Sequence, residues 1–203
     1  VLEPAKRNTA PAILSTALIK DIPDQQPLMF LAADHLIEKV GLFNKAITKN
    51  RKNLNKNNIF IFGIKPTVPS SEFGYFLTKR IKGSINKVSR FVEKPNKNKA
   101  KQIIKKKGYW NSGMFYLRKD SIINNFKKYQ PAIYRNCNKA VLKARYKNNV
   151  YYLNKHAFIK ATAKSFDYSI LEKTKEINAI KLDIPWSDLG SWKEICKMYG
   201  KNK

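Results

Sequence analysis

Glycine is scarce in this sequence, with 8 in 203 residues, and no two of them form a G-x-G run. That excludes a glycine-rich phosphate loop of the dinucleotide or triphosphate type within these residues. Cysteine is scarcer still. Cys137 and Cys196 lie far apart and in no metal-ligand spacing, which excludes a disulfide framework and a cysteine zinc site. Two free thiols suit a reducing cytosol, so a cytoplasmic location is expected. No run of 18 or more apolar residues occurs, so no membrane-spanning helix is expected and no membrane partner is invoked. Acidic residues are few: 14 against 41 Lys and Arg, for a formal net charge of +27.

Such a charge suits a nucleic-acid or membrane-surface binder, or simply a solvated basic surface. The positive residues run from end to end, as in KNRKNLNKNN, KPNKNKAKQIIKKK and ARYKNN. They are mostly Lys mixed with Asn. A nucleic-acid surface more often concentrates Arg and interleaves exposed aromatics, so the solvated surface is the favoured reading. Either way, the field attracts phosphorylated substrates. With 43% hydrophobic residues, the chain has apolar mass for one sizeable domain or most of one. A single partial domain over residues 1–203 is expected. The opening VLEP reads as the middle of something, hence an internal fragment.

Hydrophobic spacing supplies the elements. AILSTALIK reads as a helix, with Thr9 as its cap and Pro11 in the first turn. PLMFLAAD and NIFIFGI are continuous apolar runs that fit buried strands. IEKVGLFNKAITKN has helical spacing. YFLTKR and NKVSRFVEKP alternate like half-exposed strands. NKAKQIIKKK, DSIINNFKKY and PAIYRNCNKAVLKARY read as helices, SFDYSILEKT as a short one, and SDLGSWKEICKMY as a closing turn and helix. MFYLRK and INAIKLDIP read as strands. Helices alternating with apolar strands predict an α/β fold: a doubly wound, mixed but mostly parallel sheet with helices on both faces.

In such sheets ligands sit at the carboxyl ends of the strands. Asp34 follows LMFLAA, Glu93 and Lys94 end RFV, and Asp188 follows KLDIPWS. WNSG, residues 110–113, precedes an apolar strand and would need a fold-back to join them. Taken singly, each has a structural reading: a cap, a surface pair, a core tryptophan. Their collection at strand ends favours one shared site.

EPAKRNTAPAI, LAADH, FVEKPN, GYWNSGMFYLRKD, SFDYSILEKT and WSDLGSW occur in this order. Together they resemble the mannose-1-phosphate guanylyltransferases, sugar-nucleotide pyrophosphorylases of the nucleotidyltransferase superfamily. The resemblance covers nearly the whole chain and implies a Rossmann-like nucleotide-diphospho-sugar transferase fold. It implies transfer of a guanylyl group from GTP to mannose 1-phosphate, giving GDP-mannose and pyrophosphate. It further implies Mg²⁺ as cofactor, held by Asp34 and Asp188. Lys94 matches a lysine on the sugar phosphate, and Glu93 an acid on sugar hydroxyls. Asn111 in WNSG and Gly74 and Tyr75 in SSEFGYF match sugar contacts. Gly113 would let backbone approach the ligand, and Trp110 either packs beside the sugar or braces the loop.

Glu3 permits a chemical inference. Guanine presents two adjacent donors, N1–H and the 2-amino group, and a carboxylate accepts both. Related enzymes that use thymidine or uridine triphosphate carry an amide there, so Glu3 favours guanine. Arg7 and Asn8 are close enough in sequence to join the nucleotide pocket. Asp167 either orients substrate or braces a helix, and Glu172 reads as structural.

The chain departs from the family in that the glycine-rich triphosphate loop is absent. The family's C-terminal helical region is absent too, and the fold is therefore expected without its N-terminal strand. The chain alone is then expected to be inactive. Three alternatives stay open: another hexose 1-phosphate, another nucleotide, or a non-catalytic basic nucleic-acid-binding module on the same scaffold. Whether the complete enzyme is a homo-oligomer is also open.

Overall fold

The computed structural model describes residues 1–80, 86–190, 192, 195, 196 and 200. These fall into two compact units. One comprises residues 1–28, 54–59 and 116–177, the other residues 29–53, 60–115 and 178–203. The first carries most of the helices and the second most of the sheet. Among the described residues no helix is long and apolar enough to cross a membrane.

In the first unit α1 (Thr9–Ala17) buries Ala10, Ile13, Leu14 and Ala17, the i, i+3, i+4 and i+7 stripe of an amphipathic helix. Its cap is Asn8 rather than Thr9. The Asn8 Oδ1 accepts the Thr9 N–H at 2.8 Å, and Asn8 takes a left-handed φ of 65°. Thr9 instead accepts the Phe166 N–H on its hydroxyl at 2.9 Å. That bond ties the helix to a single π-turn over Asp167–Leu171, where a short ordinary helix was expected. α4 (Lys119–Tyr129) forms as the sequence predicts, and α5 (Pro131–Leu142) has Pro131 in its first turn but ends four residues before the expected helix. Phe126, Ile133, Cys137, Phe158 and Phe166 fill the core between these helices. Burial pushes the Cys137 thiol up to about 11, so it is an inert core residue.

Lys119 is buried, yet its ammonium is well partnered. It donates to the carbonyls of Ile19 at 3.2 Å and Ile22 at 2.6 Å and pairs with Asp24 at 3.2 Å. One side chain thus holds the turn that follows α1. The sequence pattern did not reveal the small hairpin of β7 (Arg145–Lys147) and β8 (Val150–Tyr152). It is too short, and too rich in charge, to show the alternation of a strand.

Six strands form the main sheet: β1 (Pro27–Phe30), β3 (Ile59–Ile64), β4 (Gly74–Arg80), β5 (Asn86–Val92), β6 (Tyr109–Arg118) and β9 (Ile177–Leu182). Their order is β1-β6-β3-β9-β5-β4, with β4 also pairing to β6. β3 is buried along its whole length, as its run of apolar residues requires, whereas β1 is only half-buried. The described registers β4–β5, β4–β6 and β5–β9 are all antiparallel. This side of the sheet therefore departs from the mostly parallel arrangement expected. The alternation of helices and strands pointed to crossovers, but β4 pairs antiparallel with β5, the next strand in the chain.

In the second unit α2 (Val40–Arg51) starts later than its apolar spacing suggested. Leu36 and Ile37 form a short strand, β2, which pairs antiparallel with β10 (Trp186–Ser187). α3 (Lys97–Lys105) is capped by Asn96, whose Oδ1 accepts the Lys99 N–H at 2.9 Å. The expected closing helix over 191–199 lies largely outside the described residues.

The cap of α1 makes a direct prediction. Asn8→Ala should lower the chain's unfolding free energy by about 1 kcal/mol, measured by urea denaturation, because one first-turn N–H loses its acceptor.

Candidate functional site

Antiparallel pairing answers how WNSG reaches the other candidate residues. WNSG lies inside β6, not at its entrance, and needs no fold-back. Gly74, at the start of β4, stands opposite Asn111. Tyr75 pairs with Val92 on the other side, so the chain leaving β5 at Glu93 comes back to the same place. A Cβ on Gly74 would sit 2.5 Å from the Glu93 Oε2 and 3.4 Å from the Asn111 Cβ. Gly74 is thus bare because a carboxylate packs over it. Gly74, Glu93 and Asn111, chosen in the sequence from three separate motifs, form one cluster.

Lys94 follows with a left-handed φ of 41° and stands directly before the buried Pro95. Non-glycine residues adopt that region at a cost, and such outliers gather at ligand sites. The Lys94 side chain is exposed, free to follow a charged group. Asn111 is buried, and its Oδ1 accepts the Gly113 N–H at 3.4 Å. Gly113 has a φ of 74° and open space above it. Among the described residues beyond its chain neighbours, the only atom within 4 Å of a Cβ built there is the His35 Cε1, at 3.8 Å.

Tyr75 has a different role from the sugar contact expected of it. It is fully buried, and its hydroxyl donates to the Ser70 carbonyl at 2.9 Å while accepting the Ser70 N–H at 3.0 Å. Both hydroxyl capacities are occupied in fastening the loop before β4. The Trp110 alternative resolves in part: its ring is buried and packs on Phe73 at 4.9 Å, so it braces the turn. Its Nε1 is buried with no hydrogen-bond partner among the described residues.

The carboxylates expected to hold a metal sit at the β2–β10 pair. Ser187 is opposite Leu36, so the next residue outward on each strand is Asp188 and His35, and Asp34 precedes His35. Both carboxylates act electrostatically on the His35 imidazole. Burial pushes its pKa below the ordinary value, and Asp34 and Asp188 work against that shift. The turn after Asp188 is fixed locally: Ser187 Oγ accepts the Leu189 N–H at 3.3 Å, and Leu189 takes a φ of 43°. Among the described residues no group of three or more His, Cys, Asp and Glu side chains gathers to cage a metal. Two carboxylates that act on one imidazole suit a hard ion that keeps several waters and binds substrate phosphates, as Mg²⁺ does.

The nucleotide-side candidates lie in the first unit. Glu3 is exposed as a whole, and partial burial of its carboxylate pushes the pKa above the ordinary value. Arg7 donates from Nη2 to the Ile159 carbonyl at 2.7 Å, and its Nε is buried without a partner among the described residues. Asn8, exposed, engages its Oδ1 as the cap of α1. Asp167 stands in the first turn of the π-turn, half-buried, with its backbone carbonyl accepting the Glu172 N–H at 3.0 Å. π-Turns of this kind occur often at functional positions. The Glu172 side chain is exposed.

Comparison with known proteins places these residues in context. The pattern of the nucleotidyl transferase family matches residues 1–202. The chain belongs to the nucleotidyl transferase family. It is similar to a mannose-1-phosphate guanylyltransferase of Escherichia coli, 35% identical over 211 residues, which cover all of this chain and 46% of the relative. It is also similar to the xanthan biosynthesis protein XanB of Xanthomonas campestris (strain B100), 36% identical over 96% of this chain and 42% of XanB. The chain thus spans less than half the length of these curated relatives. Among solved structures, a mannose-6-phosphate isomerase from Helicobacter pylori aligns over 92% of this chain and 72% of its own, at 29% identity and a TM-score of 0.80. The mannose-1-phosphate geranyltransferase from Thermus thermophilus shares the fold over 98% of this chain and 57% of its own, at 24% identity and a TM-score of 0.84.

His35, Phe73 and Trp186 were not among the residues singled out in the sequence. His35 stands inside LAADH, beside a chosen aspartate, and that adjacency was the available signal. Phe73 lies between Trp110 at 4.9 Å and Trp186 at 5.6 Å, a packing relation that no local pattern encodes.

Two substitutions separate the roles of adjacent residues in this nucleotidyl transferase. Tyr75→Phe should cost about 1–2 kcal/mol of stability in urea denaturation, because the part-buried Ser70 peptide loses its partner, and should leave ligand binding at this site unchanged. Gly74→Ala should do the reverse. The atom that its methyl meets is the end of a flexible side chain, so Glu93 swings aside at a stability cost of about 1 kcal/mol. Binding that depends on the Glu93 carboxylate should fall sharply, as read by calorimetric titration.

Proposed function

We propose that this chain is the sugar- and metal-binding part of a mannose-1-phosphate guanylyltransferase, which joins GTP and mannose 1-phosphate into GDP-mannose and pyrophosphate. One observation carries the reading: a single compact unit holds both the Gly74, Glu93 and Asn111 cluster and the two carboxylates that act on His35, whose ring faces Gly113. Residues 1–203 are read as one partial nucleotidyltransferase domain on a doubly wound, Rossmann-like core, acting in the cytoplasm.

The chemistry follows from the side chains. A sugar-phosphate oxygen attacks the α-phosphorus of the nucleotide in line, and pyrophosphate leaves. Such a transfer depends on positioning and charge neutralisation rather than on a covalent intermediate. Asp34 and Asp188 would hold Mg²⁺, which neutralises phosphate charge when bound. Lys94, on an exposed and conformationally fixed turn, supplies a cation for the sugar phosphate. The Glu93 carboxylate accepts from sugar hydroxyls, and Asn111 can both donate and accept. Glu3 reads the guanine edge through its two acceptor oxygens, with Arg7 beside it in sequence. Asp167, on the π-turn, orients the substrate. The net charge of +27 raises the local concentration of both anionic substrates.

The 203 residues contain no G-x-G run, so nothing in them cradles the β- and γ-phosphates in the usual way. The chain by itself should therefore bind mannose 1-phosphate in the presence of Mg²⁺ and release no pyrophosphate from GTP. Isothermal titration checks the first statement and a pyrophosphate-release assay the second. Asp34→Asn and Asp188→Asn should each remove the Mg²⁺-dependent part of the binding without unfolding the chain. Binding that ignores both Mg²⁺ and these substitutions would refute the assignment.

A further inference from the structure

We infer that His35 is a specificity-determining residue of the sugar subsite, offering its Nδ1 to a ring hydroxyl of the hexose 1-phosphate seated over Gly113. This rests on the sugar-phosphate reading above and goes beyond it by assigning a contact from the metal-carboxylate strand to the sugar ring.

Three observations carry it. First, the imidazole Nδ1 is buried and has no hydrogen-bond partner among the described residues. A buried ring nitrogen left unsatisfied is costly, and such groups in folded proteins are usually waiting for a ligand or a water. Whichever nitrogen carries the proton, Nδ1 can either donate or accept, and a sugar hydroxyl can answer in both senses.

Second, the ring is held in place. Trp186 meets it edge to face, with ring centroids 5.2 Å apart and planes at 81°. This geometry is favourable for aromatic pairs. Trp186 itself belongs to β10, and His35 stands directly before β2, the strand that pairs with it. A ring packed against a strand residue is a contact of the sort specificity requires.

Third, the ring faces the place where backbone is open to a ligand. Around a Cβ position at Gly113, His35 supplies the only atom within 4 Å among the described residues beyond the chain neighbours. The Cε1 edge of the imidazole therefore stands beside the space over Gly113. Asn111, two residues earlier on the same strand, belongs to the cluster that includes Glu93. A hexose placed there would have polar groups on two sides, which is what distinguishing one epimer from another demands.

The test is calorimetric titration of the 203-residue chain with mannose 1-phosphate, glucose 1-phosphate and inorganic phosphate, each in excess Mg²⁺. His35→Phe keeps a flat aromatic ring against Trp186 and removes the nitrogen. It should weaken mannose 1-phosphate about tenfold, narrow the mannose-to-glucose ratio and leave inorganic phosphate unchanged. His35→Asn places a polar atom on Cγ, where Nδ1 stood, and should recover most of the loss. His35→Gln places its polar atoms one bond further out and should not. Unaltered binding and discrimination in His35→Phe would overturn the inference while leaving the sugar-phosphate reading intact. Equal loss of inorganic phosphate would also overturn it, because the effect would then lie at the phosphate end. If the unaltered chain binds neither hexose 1-phosphate, the broader reading fails and this inference fails with it.

Discussion

The opposition of Gly74 and Asn111 across two antiparallel strands is the constraint on which the rest of the candidate site depends. Without a side chain on Gly74, the Glu93 carboxylate can lie against the β4 backbone and face Asn111. Any Cβ there would push the carboxylate away. The register of β4 with β6 decides which residue of WNSG comes opposite, and the register of β4 with β5 decides that the chain leaves β5 beside the same point. Tyr75 supports the arrangement from below by binding both polar groups of the Ser70 peptide. Three sequence motifs thus meet because one glycine lets them.

A second pairing organises the charged end. β2 and β10 contribute only two residues each, yet that register brings Asp34 and Asp188 within electrostatic reach of the same imidazole, that of His35. A pair of strands this short is weak by itself. Here the pair is reinforced by rings: His35 on Trp186, Trp186 on Phe73, and Phe73 on Trp110. The aromatic series runs from His35 to WNSG, so the β2–β10 end and WNSG share one apolar brace. The tryptophan of WNSG, unusual at the start of an apolar strand, is the last member of that series.

Much of the fold was legible because its signals are local. The buried strand IFIFGI, the helices opened by Asn96 and Pro131 and the strands β4 and β5 follow from burial, caps and alternation. What was missed depends on distant partners. β2 and β10 are too short to show a period, and only their pairing makes them strands. The antiparallel side of the sheet was hidden because strand direction is a tertiary property. In the site, Glu93, Asn111 and Gly74 were found through motif resemblance, and their convergence agrees with it. Tyr75 was misread because a tyrosine beside a ligand turn and a tyrosine stapling that turn look alike in sequence. The cap of α1 was assigned to Thr9, although asparagine is a preferred cap and Asn8 stands one residue earlier. His35 was overlooked because its importance lies in an unsatisfied nitrogen, which no sequence pattern records.

The central claim is that the Asp34–Asp188 end and the WNSG end form one divalent-dependent site. Paramagnetic broadening by Mn²⁺, followed residue by residue in the NMR spectrum of the chain, tests it most directly, since the effect falls steeply with distance from the ion. The account predicts early and selective loss of the backbone amide signals of residues 34–36, 113 and 187–190. Broadening centred elsewhere, or spread evenly over the chain, would contradict it.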